Sequence, residues 1–391
     1  MANKPKTNSV INGNNYFRVR VLLGYDENGK KVFKNFYGSS KSDAENKKKE
    51  YIKSIESGLN PDLSSQSLSL AMNTWLWEIE KYSGNKSSSF ERYEGIFRNY
   101  LKDSTLGLLT VSEIKKLPVQ KYYNMLIKEG KSYSQVKNIH KLLNKFFNYA
   151  ESDGYVIKNP LRGLKIPKES EEEIEKKAEK IETFSDDEIK KILESLGNVK
   201  LRYIVEFALS TGAREAEILA LDKNTDIIGK TVKINKSVRN VRVYEDNSKT
   251  KYHYELKVTK PKTQTSIREI PISNKLHQSL RNLNKIVSEE RLKLGPAYNE
   301  NTLLFPSLTG TYIDSRNLIR SWKRALDNAN IPYKKFHALR HTYATKLIDS
   351  GMNIITVSRL LGHSSTKITE IYLHPLDNIS EDDLNKLENI F

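Results

Sequence analysis

Cysteine is absent from all 391 residues. That absence excludes disulfide frameworks, thiolate metal sites and cysteine nucleophiles, and it suits a reducing cytoplasm. Apolar runs long enough to span a bilayer are missing, and Met1-Ala-Asn-Lys-Pro-Lys6 has no apolar segment behind its charges. The expectation is a protein neither secreted nor held in a membrane. Internal repeats and low-complexity tracts are lacking too, as are a Walker glycine loop, the HExxH spacing and the acidic clusters of a two-metal nuclease. No metal site and no cofactor is therefore expected.

What is abundant is positive charge. Lys and Arg number 65 against 48 Asp and Glu, for a net charge of +17, which favours a polyanionic partner, most often nucleic acid. The excess is uneven. Between Glu169 and Glu188 ten acids face three lysines, net −7, which leaves +24 on the remainder. Asn159-Pro160 and Pro167 stop a helix upstream, and Ser185-Asp-Asp-Glu188 has the capping-box spacing that opens a helix downstream. The acidic stretch at 167–182 reads as a solvated linker. At 391 residues and 45.1 kDa the chain exceeds one usual core, so several domains are expected.

Residues 1–63 read as a small sheet followed by a helix. Tyr16 to Leu23 alternates, with Phe17, Val19 and Val21 on one face and Tyr16, Arg18 and Arg20 on the other. Asp26-Glu-Asn-Gly29 makes the turn, Lys31 to Tyr37 returns, and a helix over Ser42–Glu56 covers the apolar side. Arg18 and Arg20 are candidate DNA contacts, although the same pattern fits an ordinary solvated face. Residues 64–166 are helical in period. One stripe is Leu68, Leu70, Met72, Trp75, Leu76 and Ile79, and a second is Ile139, Leu142, Leu143, Phe146, Phe147 and Ala150. Around Lys131, Ser134 and Lys137 a helix N-terminus with basic and hydroxyl neighbours is a candidate phosphate contact.

The chemistry-bearing residues crowd into 183–391. Gly212 breaks one helix and Arg214 opens the next, where a guanidinium can meet an anion. Taken alone, it reads as a surface or capping arginine. Glu255–Lys260 and Ser266–Ile272 read as strands joined in a hairpin, with Lys262 near its tip and Lys260 as the alternative lysine. His337 and Arg340 stand at i and i+3 and share a helix face. Leu360-Leu-Gly-His363 closes another helix, and Tyr372 follows nine residues later. Two Arg, two His, one Lys and one Tyr favour phosphate over metal.

This order of motifs, TGxRxxE, a hairpin lysine, HxLRH, LLGH and a tyrosine, resembles the tyrosine recombinase (site-specific integrase) family, in particular the integrases of phages and conjugative transposons. The resemblance implies a multidomain, mainly α fold with small β-sheets. Its parts would be an arm-site DNA-binding domain at 1–63, a helical core-DNA-binding domain at 64–166 and a mixed α/β catalytic domain at 183–391. It further implies DNA cleavage, exchange and religation through a 3′-phosphotyrosyl bond, without metal or ATP. Tyr372 would be the nucleophile, Arg214, Arg340 and His363 the phosphate ligands, Lys262 the acid for the leaving oxygen and His337 the base towards Tyr372. Glu217 and His341 would be supporting. Implied partners are double-stranded DNA, at core and arm sites, and an excisionase or host DNA-bending protein. The implied assembly is a homo-tetramer, on the bacterial nucleoid in the cytoplasm. Leu384, Leu387 and Phe391 give the tail an apolar stripe that would dock on a neighbouring protomer, or else pack in cis. A type IB topoisomerase and a non-catalytic architectural DNA-binding protein are the alternatives.

Overall fold

The computed structural model describes residues 9–11, 14–84, 87–167, 181–197, 199–245, 251–261 and 264–373. The chain divides into two compact units, 1–170 and 171–391. Most of the expected linker, Lys262 and the tail stripe Leu384, Leu387 and Phe391 lie outside the described residues.

In the first unit β1 (Ser9–Ile11), β2 (Asn14–Tyr25) and β3 (Lys31–Gly38) form an antiparallel sheet in that order. Arg18 pairs with Tyr37 and Arg20 with Asn35 across β2 and β3, and both arginines are exposed. Helix α1 (Lys41–Glu56) is capped by Ser40 and buries Ala44 and Tyr51, Tyr51 packing on Phe36 at 5.1 Å between ring centroids. An ion pair from Lys34 to Asp62 and a bond from Asn60 N to Gly154 O (2.8 Å) tie this layer to the helical part that follows.

That part is built from α2 (Leu68–Thr74), α3 (Ser87–Ile96), α4 (Lys116–Lys128) and α5 (Tyr133–Ser152). The stripe on α5 is fully buried, from Ile139 to Ala150. The earlier stripe departs from expectation: Leu68, Met72, Trp75 and Leu76 are buried, but Leu70 is 54% exposed and Ile79 45%. Leu70 lies two residues from both Leu68 and Met72, on the far side of a helix. At Trp75–Ile79 the chain takes a π-helical turn, whose extra residue rotates Ile79 off the core face.

In the second unit α6 (Asp186–Leu196) opens with the expected capping box of Ser185 and Glu188. Next come α7 (Lys200–Thr211) and the single turn α8 (Glu215–Ile218). Strands β4 (Ile227–Ile228), β5 (Thr231–Ile234) and β8 (Arg268–Pro271) form one sheet, while β6 (Ser237–Tyr244) and β7 (Tyr252–Thr259) form another. The expected hairpin across Lys262 is therefore not the pairing found. β7 pairs with β6, and the chain then crosses to the other sheet, where Arg268 stands opposite Ile234. Helices α9 (Asn274–Leu294), α10 (Ser315–Asn328), α11 (Ala338–Asp349) and α12 (Ile354–Leu361) complete the unit. Its core joins Phe207 and Phe305 to Trp322 and Leu339. None of the described helices is long and apolar enough to cross a membrane.

Candidate active site

Two helix ends set the stage. Gly212 closes α7 at φ +60°, and a Cβ there would run into the ring of Tyr343, so both backbone sign and space call for glycine. The sharp turn puts Arg214 at the start of α8 and aims the Gly212 carbonyl at α11. At the end of α12, Gly362 at φ +67° turns the chain so that the Leu361 carbonyl and His363 face the same point.

Arg340 occupies that point, 2% exposed. Its Nη1 donates to Gly212 O (2.7 Å), and its Nη2 to Leu361 O (2.7 Å) and His363 Nε2 (2.9 Å). A guanidinium only donates, so His363 Nε2 must accept, its proton sits on Nδ1, and Nδ1 donates to Thr369 Oγ1 at 2.8 Å. Burial and then the charges of Arg340, Arg214 and Arg268 pull the His363 pKa down to about 4. Burial, then Arg214 and Arg268, also pull Arg340 down to about 9, against the attraction of Glu217, which leaves it charged at neutral pH.

Glu217 is the anion at the centre of this cationic group. Its Oε1 accepts from Arg214 Nη1 (2.9 Å) and its Oε2 from Arg268 Nη2 (2.8 Å) and the Arg214 amide (2.9 Å). Burial works against its charge, but the Arg268 hydrogen bond and the two guanidinium charges outweigh that and hold the carboxyl below its usual range. Arg214 keeps its side chain 38% exposed, whereas that of Arg268 is 5% exposed. Arg268 also donates from Nε to Leu360 O (2.6 Å), which links β8 to the end of α12. Arg268 belongs to none of the sequence motifs, yet a local signal marks it. In Arg268-Glu-Ile-Pro-Ile272 the alternation places it on the face of Ile270 and Ile272, both buried.

Tyr372 lies in a single 3₁₀ turn, Glu370–Tyr372, 4% exposed and packed with Ala344, Val357 and Leu361. Its hydroxyl meets His341 Nδ1 at 2.7 Å. The ring of His337, the residue expected to be the base towards Tyr372, lies edge-on to that of His341 with centroids 4.8 Å apart. His337 starts α11, and burial, then His341, Arg340 and Arg214, lower its pKa to about 4. The described residues thus gather Arg214, Glu217, His337, Arg340, His341, His363 and Tyr372 at one place. Lys260 directly follows β7, and Lys262 lies outside the described residues.

The other candidates belong to the first unit. Arg20 lies over the Phe33 ring at 4.3 Å. Ser132 and Gln135 form a reciprocal cap at the start of α5, with Ser134 and Lys137 exposed beside it and Lys131 half-buried before it.

Residues 182–378 match the Phage integrase family. The chain is 42% identical to a tyrosine recombinase XerC-like protein of Caldanaerobacter subterraneus subsp. tengcongensis, over 99% of each chain. The fold is similar to that of the Tn1549 transposon integrase in complex with transposon right end DNA, with a TM-score of 0.60 and 18% identity over 83% of this chain and 99% of that one. It is also similar to a lambda integrase in a tetramer bound to a Holliday junction, with a TM-score of 0.56 and 18% identity over 91% and 94% of the two chains. With a family match over 182–378 and a relative 42% identical along 99% of both chains, the chain belongs to the tyrosine recombinase family, enzymes that cleave and rejoin DNA.

Proposed function

We propose that this protein is a site-specific integrase that inserts and excises a mobile element, exchanging DNA strands through a 3′-phosphotyrosyl bond at Tyr372. One observation carries the reading: a buried tyrosine hydroxyl rests on an imidazole within the field of Arg340 and Arg214. A phosphotyrosyl bond conserves the phosphodiester energy, so religation needs no ATP. The three bonds of Arg340 use three of its five hydrogens. One of the other two, on Nε or Nη1, is the donor for a non-bridging phosphate oxygen, and the exposed part of Arg214 can meet another, stabilising charge in the five-coordinate transition state. His363, expected to hold a phosphate oxygen, here accepts from Arg340 and donates its Nδ1 hydrogen bond to Thr369 Oγ1, and so fixes the rotation of Arg340. Lys262 protonates the leaving 5′ oxygen, and Glu217 and Arg268 buttress Arg214.

Residues 1–63 act as an arm-site reader through Arg18 and Arg20, and residues 64–166 as a core-site binder that meets phosphates near Lys131, Ser134 and Lys137. The catalytic part spans 183–391, and the tail docks in trans within a tetramer on two duplexes. A transposon integrase bound to its element's end and a tetramer on a Holliday junction are the neighbours that support this reading. The test is a supercoiled plasmid carrying two copies of a core sequence that Tyr372→Phe protein has selected from random DNA. Recombinant products support the proposal. Relaxation without exchange would indicate topoisomerase action, and binding without strand cleavage an architectural role.

A further inference from the structure

The hydroxyl of Tyr372 and Nδ1 of His341 are 2.7 Å apart, and helix geometry explains the pairing. His337 and His341 are one turn apart on one face of α11. Arg340, one residue before His341, is rotated about 100° from it and reaches the carbonyls of Gly212 and Leu361 instead. The Tyr372 ring is seated against Ala344, nearly a turn beyond His341, and against Val357 and Leu361 of α12. That seat delivers the hydroxyl to His341, with the two rings 5.5 Å apart between centroids.

A phenol that attacks phosphorus must lose its proton. Burial pushes the Tyr372 pKa up, with Arg340 and Arg214 opposing, so the phenolate is scarce at neutral pH and a base must act in the step. The groups facing His341 are His337 and Arg340 from its own helix, Glu182 from the segment before α6, and Tyr372. Burial, then Arg340, pull its pKa below the usual histidine value, against Glu182. His341 is therefore neutral at working pH. With its proton on Nε2, the Nδ1 lone pair faces the hydroxyl.

We infer that His341 is the general base for Tyr372, an inference that rests on the recombinase reading above. As the phenolic oxygen forms its bond to phosphorus, its proton passes to His341 Nδ1 and the imidazole becomes imidazolium. The bond from phosphorus to the 5′ oxygen breaks, its electron pair stays on that oxygen, and Lys262 supplies the proton that makes the 5′ hydroxyl. In religation the 5′ hydroxyl attacks and returns its proton to Lys262. The phosphorus–tyrosine bond then breaks, and His341 gives its proton back to the phenolate.

The experiment measures single-turnover covalent adduct on nicked suicide duplexes of the selected core sequence. One set has an ordinary scissile phosphate and the other a 5′-bridging phosphorothiolate, whose sulfur leaves without an acid. His341→Gln should slow cleavage roughly 100- to 10,000-fold on both substrates, because sulfur replaces an acid but not a base. The wild-type rate should fall as acid protonates His341, at a pH below the usual histidine range near about 6.5. His341→Gln should lack that limb, and added imidazole should speed His341→Ala. Four results would each overturn the inference: wild-type cleavage by His341→Gln, its recovery on the sulfur substrate, retention of the acid limb, or indifference of His341→Ala to imidazole. In all four the wild-type adduct remains. Loss of any wild-type adduct would instead overturn the recombinase reading, and this inference with it.

Discussion

The two units use arginine in opposite ways. In the first, Arg18 and Arg20 stand exposed on a sheet face, Arg20 lying over Phe33. In the second, Arg340 and Arg268 are 2% and 8% exposed and are held by carbonyls and by Glu217. An exposed arginine lays its stem along the surface and keeps its charged head towards solvent, where a ligand's phosphates can meet it. A buried one has given up that freedom for fixed geometry, and its surroundings depend on it as much as it depends on them. Substitutions in the two units should therefore differ in kind: loss of affinity in the first, and loss of chemistry and stability together in the second.

The sharpest test of that contrast is Arg340→Ala. It strands the carbonyls of Gly212 and Leu361 and releases His363. Cleavage should fall roughly 1,000-fold or more, and unfolding by urea should show a loss of about 2–4 kcal/mol from the stranded buried groups. Arg340→Lys should be nearly as poor in cleavage, because one ammonium cannot span two carbonyls and an imidazole. Arg268→Ala comes next. It leaves Glu217 buried with only Arg214, and should cost about 3–5 kcal/mol, part of it recovered when Glu217→Gln is added. A full additive loss in the double variant would break the pairing of these two residues.

Acid should separate the units further. The Glu217 carboxyl is held below its usual range in the folded state. Its stabilisation is therefore present above the unfolded value near about 4.3 and is lost as pH falls through the lower folded value. The urea midpoint should drop along that limb, and the drop should be shallower in Glu217→Gln. The smallest stability effects belong to Arg18→Ala and Arg20→Ala, within about 0.5 kcal/mol. Each should instead weaken binding to the arm sequence and lower the salt dependence by about one unit of log–log slope. Destabilisation by either on the scale of Arg268→Ala would erase the contrast.

Local signals in the chain foretold much of this. The stripe from Ile139 to Ala150 is the buried face of α5, and Gly212 and Gly362 end their helices in the left-handed region. These features depend on residues within a turn or two of one another. What escaped depends on distant partners. Alternation marks β7 and β8 as strands, but it does not say that β8 pairs with β5, more than thirty residues upstream. The spacing in His337-Ala-Leu-Arg-His341 puts His337 and His341 on one face, and only the seat of Tyr372 against α12 decides which imidazole meets its hydroxyl. Arg268 is legible by alternation, but a charged residue in a strand reads first as exposed.

Covalent joining of Tyr372 to DNA is the step on which all of this chemistry depends. Wild-type protein trapped on the suicide duplex, digested with protease and nuclease and read by mass spectrometry, should yield a peptide in which Tyr372 carries a 3′-linked nucleotide, and Tyr372→Phe protein should yield none. A nucleotide on any other residue, or an adduct that survives in Tyr372→Phe, would contradict it.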